Sequence, residues 1–366
     1  MIKVTLSNEI LKYITEIEKN RYKASSFTLS KSIVNTLRKN SKKKSSYASN
    51  KIEGNPLSYK EADEAIERDD RKHFLKPEVE IRNYFKALEF LEKKSKTKTK
   101  FSKQLILDVQ KIVEKGAPKE KIGIRGPMPP GVLFAVYDSS SGRPDYIPPE
   151  YKDINNLLDK LVKYVNSTDD HPLIIAAIVH YELVTIHPFE DGNGRTARLL
   201  SGYILDLYGY GFNGIGSLEE YFAYDVDEYY NSLQMKLPVL YYDGRNNPPH
   251  PEIWINYFLR MVLLYSSKVS KISSTPKGDE VKASISYLNQ NERKLLLLIL
   301  RKYEDEFSPI ELSKEYTVTN RTIINWLSNL VKNGFVEPLI VKDRIRTYRL
   351  SEFALSHKKS IINMIK

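Results

Sequence analysis

The sequence contains no cysteine. Disulfide frameworks, thiolate metal centres and cysteine nucleophiles are therefore excluded. It also lacks a long apolar run: Leu295 to Leu300 falls far short of the roughly 20 residues that a membrane-spanning helix needs. Histidine is scarce, six in all, and none has a second histidine at metal-ligand spacing, which removes a zinc pattern. The first residues, Met1-Ile2-Lys3-Val4-Thr5, carry no apolar stretch of a secretory leader. A soluble, cytoplasmic protein with no membrane partner is expected.

Charge is what the chain has in excess. Lys and Arg number 57 against 46 Asp and Glu, a net charge of +11, which favours acidic partners such as nucleotides, nucleic acid or an acidic protein. A length of 366 residues leaves room for two or three domains. The basic run Arg38, Lys39, Lys42, Lys43, Lys44 reads as a solvated helix face or loop.

The densest chemistry lies in Ile186-His187-Pro188-Phe189-Glu190-Asp191-Gly192-Asn193-Gly194-Arg195-Thr196-Ala197-Arg198. Apolar residues from Pro172 to Val184 lead into it, and Leu199, Leu200, Tyr203, Ile204 and Leu207 follow at helical spacing. The run therefore reads as a loop between two buried helices, the second starting just after the glycines. A helix N-terminus offers unpaired N–H groups and a positive dipole end. Gly192 and Gly194 let an anion approach the backbone, and Asn193 adds a donor. Arg195 and Arg198 can share one face, as a polyphosphate tail requires. Asp191 is a hard oxygen ligand suited to Mg²⁺, and His187 can take a proton near neutral pH. Each residue alone is an ordinary helix start or core group; their convergence points to phosphate.

This run resembles the signature of the Fic family of nucleotidyl transferases, His-x-Phe-x-(Asp/Glu)-Gly-Asn-Gly-Arg-x-x-Arg, at every fixed position. The resemblance implies a helical core that uses ATP and Mg²⁺ to move AMP onto a Tyr, Ser or Thr hydroxyl of a protein. Carried over, His187 is the general base, Phe189 the anchor of the loop and Asp191 the Mg²⁺ ligand. Gly192, Asn193 and Gly194 cradle the anion, while Arg195 and Arg198 hold the outer phosphates.

Three other stretches extend the likeness. Glu53-Gly54 reads as a helix end, with Gly54 as its cap. Ser49-Asn50-Lys51-Ile52-Glu53-Gly54 resembles the family's inhibitory motif, which implies that Glu53 pairs with Arg198 and obstructs ATP. Val132 to Asp138 reads as a strand, Ser139 to Pro144 as a turn and Asp145 to Pro149 as its return. That hairpin resembles the Fic flap, and Phe134, Ala135 and Val136 become candidates for holding a target segment by strand addition. Tyr229 and Tyr230 resemble the segment that covers the adenine. His180 and Glu182 read as core residues.

Further on, Ile253, Trp254, Tyr257, Phe258, Met261 and Val262 line a last core helix, from Pro251 to about Tyr265. The final segment reads as three helices and a hairpin, resembling a winged helix. Ser308 and Thr319 open the second and third helices, and strands are expected over 335–339 and 346–350. Asn320, Arg321, Lys342, Arg344 and Arg346 would face DNA or a protein partner. The expected fold is mainly α: an N-terminal helical region with the inhibitory helix (1–100), a Fic core with its flap (101–265), a linker (266–282) and a winged helix (283–366). The leading expectation is an autoinhibited protein adenylyltransferase acting on a target protein or on itself, with a homodimer compatible. The alternatives are a nucleotide-sensing regulator, or an enzyme that removes AMP or transfers another phosphate-linked group.

Overall fold

The structure is a computed structural model. It describes all residues except 27–30, 69–72, 119–120, 138–143, 238–247, 274–280, 282–283, 304–305, 342–343 and 366. The fold is mainly α, as expected, and its chain separates into two units. One comprises Met1–Tyr22 and Arg38–Ser267; the other comprises Lys23–Leu37 and Lys268–Lys366. Among the described residues no helix is long and apolar enough to cross a membrane.

The first unit is built around α7 (Pro172–Ile186) and α8 (Asn193–Leu207), which pack against one another. The helix α7 is apolar on every side, so it can be stable only when enclosed, and nearly all of it is buried. Its start is fixed by the His171 side chain, which accepts from the Leu173 N–H, and by Pro172 in the first helical position. The helices α4 (Lys76–Lys96) and α5 (Lys103–Val113) pack on α8. A later helix, Pro251–Ser273, sends the Trp254 indole N–H to the Ala177 carbonyl at 2.8 Å. That helix runs past Tyr265, so the first part of the expected linker is helical. The amphipathic α1 (Asn8–Ser26) and α2 (Lys31–Ile52) precede these elements. The basic run on α2 is ion-paired within the unit: Lys42 meets Glu92, and Lys43 meets Asp63 and Glu67.

The expected hairpin is present but shorter than read. Its strands are β1 (Val136–Tyr137) and β2 (Pro144–Tyr146), antiparallel, with Val136 opposite Tyr146. Phe134 and Ala135 lie outside the strand. The run Val132 to Tyr137 has strand propensity, but a strand needs a partner ladder, and β2 opens on a proline that cannot donate to it. Of the expected turn, Ser139 to Pro144, Pro144 opens β2 and the other residues fall outside the described ones.

In the second unit, helices Gln290–Lys302, Pro309–Tyr316 and Asn320–Lys332 enclose Leu295, Leu296, Ile299, Leu312, Leu327 and Leu330. Ser308 and Thr319 cap the second and third of these, as their sequence positions suggest. Strands Val336–Val341 and Arg344–Leu350 form an antiparallel pair and run longer than expected. Asn320 and Arg321 are exposed at the start of the third helix. Lys342 and the side chains of Arg344 and Arg346 lie outside the described residues.

Candidate functional site

The loop between α7 and α8 carries the predicted site. His187 ends α7 in the left-handed region at φ 47°, which turns the chain out of the helix. Its ring lies 6.1 Å from that of Phe134, so the segment before β1 does border the loop. Phe189 is buried and forms an isolated bridge with Ile124. The Asn193 side chain folds back on Phe189, accepting from its N–H at 3.0 Å and donating to its carbonyl at 2.9 Å. Asn193 was expected to present its amide to an anion. In the structure it is buried, with its carbonyl oxygen and one amide N–H engaged by the Phe189 backbone.

Gly192 opens α8 with φ 78°, a conformation that favours glycine. A Cβ there would lie 2.7 Å from Glu114 Oε1. A Cβ on Gly194 would collide with Glu53 Oε1. So each glycine makes room for a carboxylate.

Those carboxylates hold the two arginines. Arg195 pairs with Glu114 at 3.0 Å and with Asp191 at 3.1 Å. Asp191 Oδ1 also accepts from the Gly192 N–H at 2.7 Å, and its Oδ2 is 3.8 Å from Lys121 Nζ. Burial pushes the Glu114 carboxyl above its usual range against the pull of Arg195. Arg198 is buried and carries four contacts. Its Nε donates to Ser49 Oγ at 2.8 Å, and its terminal nitrogens reach the Ser49 carbonyl at 3.1 Å, Tyr229 Oη at 3.3 Å and Glu53 at 2.5 Å. Burial alone would lower the Arg198 pKa, but Glu53 and the nearby Tyr229 and Tyr84 bring it above the ordinary arginine value. Gly54 follows Glu53 with φ 80°, as a helix-ending glycine does.

The two tyrosines separate. Tyr230 is 43% exposed, whereas Tyr229 is 1% exposed and packs with Phe222, Trp254 and Tyr257. Tyr229 thus meets Arg198 from behind and offers no open ring face to a base.

Two charged residues escaped the reading of the sequence. Glu114 closes α5 just as Glu53 closes α2, and a carboxylate at a helix end was the signal available. Arg125 is buried, donates from Nε to the His187 carbonyl at 2.9 Å and also reaches the Pro149 carbonyl. Its N–H meets the Pro188 carbonyl at 2.9 Å, and its guanidinium lies 4.5 Å from the centre of the Phe134 ring. No local pattern around Arg125 announced this role.

Among the described residues no three His, Cys, Asp or Glu side chains gather as a metal cluster. The arrangement is a helix N-terminus with two buried, ion-paired arginines, two partly exposed carboxylates, Asp191 and Glu53, and His187 at the end of the preceding helix.

Residues 100–205 match the sequence model of the Fic/DOC family. A curated relative from Nematostella vectensis, named "Protein adenylyltransferase Fic", is 45% identical over 69 residues, 18% of this chain and 16% of that protein. The chain thus aligns with about one sixth of that relative's length. A crystal structure of a Fic family protein from Desulfovibrio desulfuricans G20 superimposes with a TM-score of 0.60 at 19% identity, covering 96% of this chain and 98% of that one. Fic-1 from C. elegans (residues 134 to 508) gives 0.55 at 24% identity, covering 72% and 71%. At these identities the structural likeness concerns the fold. The family model thus matches residues 100–205, and the fold of the chain is similar to those of Fic family structures.

Proposed function

We propose that this chain is a protein adenylyltransferase that moves AMP from ATP to a Tyr, Ser or Thr hydroxyl of a protein, and that Glu53 restrains it. The observation that carries the reading is the meeting, at one helix start, of His187, Asp191, Arg195 and Arg198, with Arg198 already bound to a carboxylate in the place of an anion. His187 takes the proton of the attacking hydroxyl. The hydroxyl oxygen forms the bond to the α-phosphorus, the bond from that phosphorus to the bridging oxygen breaks, and pyrophosphate leaves. The N–H groups of α8, Arg195 and Arg198 hold the phosphates. Asp191, 38% exposed on its side chain, suits Mg²⁺, which takes one or two carboxylates together with nucleotide phosphates. When bound, the ion neutralises charge on the phosphates. Glu53 occupies Arg198 and the space over Gly194, so ATP must displace it or bind with its phosphates misaligned.

The segment around β1 and β2, with Phe134 facing His187 and Val136 on the strand, is the proposed rest for the target segment. We retain the division into an N-terminal inhibitory region (1–100), a Fic core (101–265), a linker (266–282) and a winged helix (283–366) that binds DNA or protein. A cytoplasmic location and a homodimer belong to the same proposal.

The test is intact mass of the Glu53→Gly protein after incubation with ATP and Mg²⁺. A gain of AMP is expected, on the chain itself or on an added acceptor protein. Tight ATP binding with no transfer to any acceptor would favour a nucleotide sensor. A gain of another phosphate-linked group, or loss of AMP from a modified acceptor, would redefine the reaction.

A further inference from the structure

Behind Arg198 lies a set of buried polar groups. Arg198 donates to Tyr229 Oη at 3.3 Å, and that hydroxyl lies 2.8 Å from His180 Nε2. On the other side of the ring, His180 Nδ1 lies 3.5 Å from Ser201 Oγ. Ser201 Oγ donates to the Arg198 carbonyl at 3.0 Å. The path leaves the Arg198 side chain and returns to its own backbone. His180 and Ser201 are 0% exposed, and Tyr229 is 1% exposed.

The direction of each bond is fixed by what the groups can do. Arginine only donates, so Tyr229 Oη accepts from it and must turn its own hydrogen toward His180. His180 Nε2 must then be the acceptor, which leaves the hydrogen on Nδ1, facing Ser201. A protonated imidazole would leave the Tyr229 hydrogen without the His180 acceptor. Burial, with Arg198 nearby, indeed depresses the His180 pKa well below its ordinary value. Burial likewise raises the Tyr229 pKa, so the phenol keeps its hydrogen.

We propose that His180, acting through Tyr229 and Ser201, is a positioning residue that keeps the Arg198 guanidinium aimed at the outer phosphates once Glu53 has left it. The inference rests on the nucleotide-binding reading above. The need arises because Arg198 loses its ion-pair partner at the moment ATP arrives. Ser49 still holds Nε and one terminal nitrogen. The other terminal nitrogen is held by Tyr229 alone among the described residues, and the Tyr229 hydroxyl is oriented by His180. A side chain held on both nitrogens has less freedom to lose when it grips a phosphate.

The experiment uses the full chain carrying Glu53→Gly as parent, titrated calorimetrically with Mg²⁺-ATP and, separately, with AMP. Tyr229→Phe keeps the ring and removes the hydroxyl, and His180→Phe removes the acceptor. Each should weaken ATP binding by about tenfold, the scale of one hydrogen bond to a charged group. AMP, which lacks the outer phosphates, should bind each variant within about twofold of the parent, because the lost bond concerns Arg198 alone. His180→Gln places a carbonyl where Nε2 stood and should restore ATP affinity. If ATP and AMP weaken together, the groups only support the core and the proposal falls. It falls too if neither nucleotide weakens. A parent that binds no ATP would instead remove the nucleotide reading itself, and this inference with it. Should His180→Phe fail to fold, Tyr229→Phe carries the comparison.

Discussion

Glu53 follows the last residue of α2, and Glu114 follows the last residue of α5. Both carboxylates sit at the negative end of a helix, where they are unfavourable unless a cation meets them. Each meets an arginine from the start of α8, but the settings differ. In the Arg195 pair both side chains are enclosed, at 6% and 8% exposure, and Glu114 lies against Gly192. In the Arg198 pair the arginine is at 1% and the glutamate at 34%. Solvent therefore reaches Glu53, while Glu114 is enclosed. Under the proposed function the Glu53 pair is the one that ATP exchanges and the Glu114 pair a fixed strut, and solvent access to the carboxylate makes the difference.

The largest effect should separate both pairs from the chemistry. His187 precedes α8, so His187→Ala should slow transfer by about 10²–10⁴-fold, the usual cost of a lost general base. ATP affinity should stay near wild type, since both arginines remain. Transfer rate and calorimetry together decide it; full activity in the variant removes His187 from the mechanism.

Breaking the enclosed pair should cost the most stability. Glu114→Gln leaves Arg195 buried with Asp191 alone, and a loss of about 3 kcal/mol is expected, at the lower end for a broken buried pair. Urea unfolding with and without ATP reads both numbers. Breaking the exchangeable pair should cost less. Glu53→Gly should lose about 1–2 kcal/mol when empty, because the carboxylate is partly solvated and Arg198 keeps Ser49 and Tyr229. It should also gain more from ATP than wild type in a thermal-shift titration, and transfer faster. Equal ATP gains in the two glutamate variants would erase the distinction between them.

The smallest effect concerns pH, and on the Arg198 side His180 carries it. The folded His180 pKa lies below the unfolded value near 6.5. Stability is then complete above 6.5 and falls as the pH drops toward the folded value, with a slope approaching about 1.4 kcal/mol per pH unit from this group. His180→Gln should remove that component of the slope; an unchanged slope would mean that His180 does not titrate on unfolding. His171, whose pKa burial also lowers, supplies a remainder in both proteins.

The parts of the site set by neighbouring residues were legible in the sequence. Pro172 and the glycines at 192 and 194 mark helix starts by local chemistry, and Ser308 and Thr319 do the same in the second unit. The Glu53 to Arg198 contact spans 145 residues of sequence, and only the family resemblance anticipated it. Arg125 and Glu114 had no such guide. Their roles come from where the chain returns: a carboxylate at a helix end such as Glu114 calls for a cation without naming it, and Arg125 carries no sign of the carbonyls it will meet. Tyr229 shows the converse error. The family resemblance offered both tyrosines as candidates to cover the adenine, but residues 229 and 230 are neighbours on one helix and face different ways, one into the core and one out. The strand around Phe134 was overread because propensity is local and pairing is not.

Arg125 also bears on how such a protein can change over generations. One guanidinium grips the carbonyls of His187 and Pro149, and the same residue's N–H meets Pro188. The chain that leaves Arg125 and returns at Pro149 therefore has its two ends clamped together at the loop between α7 and α8. Lengthening a closed loop is cheap, about 0.6 kcal/mol for each doubling. Insertions, deletions and wholesale rewriting between the two clamped ends leave His187 where it is. Under the proposed function, the segment that meets the target can therefore change while the residues that make the bond stay in place.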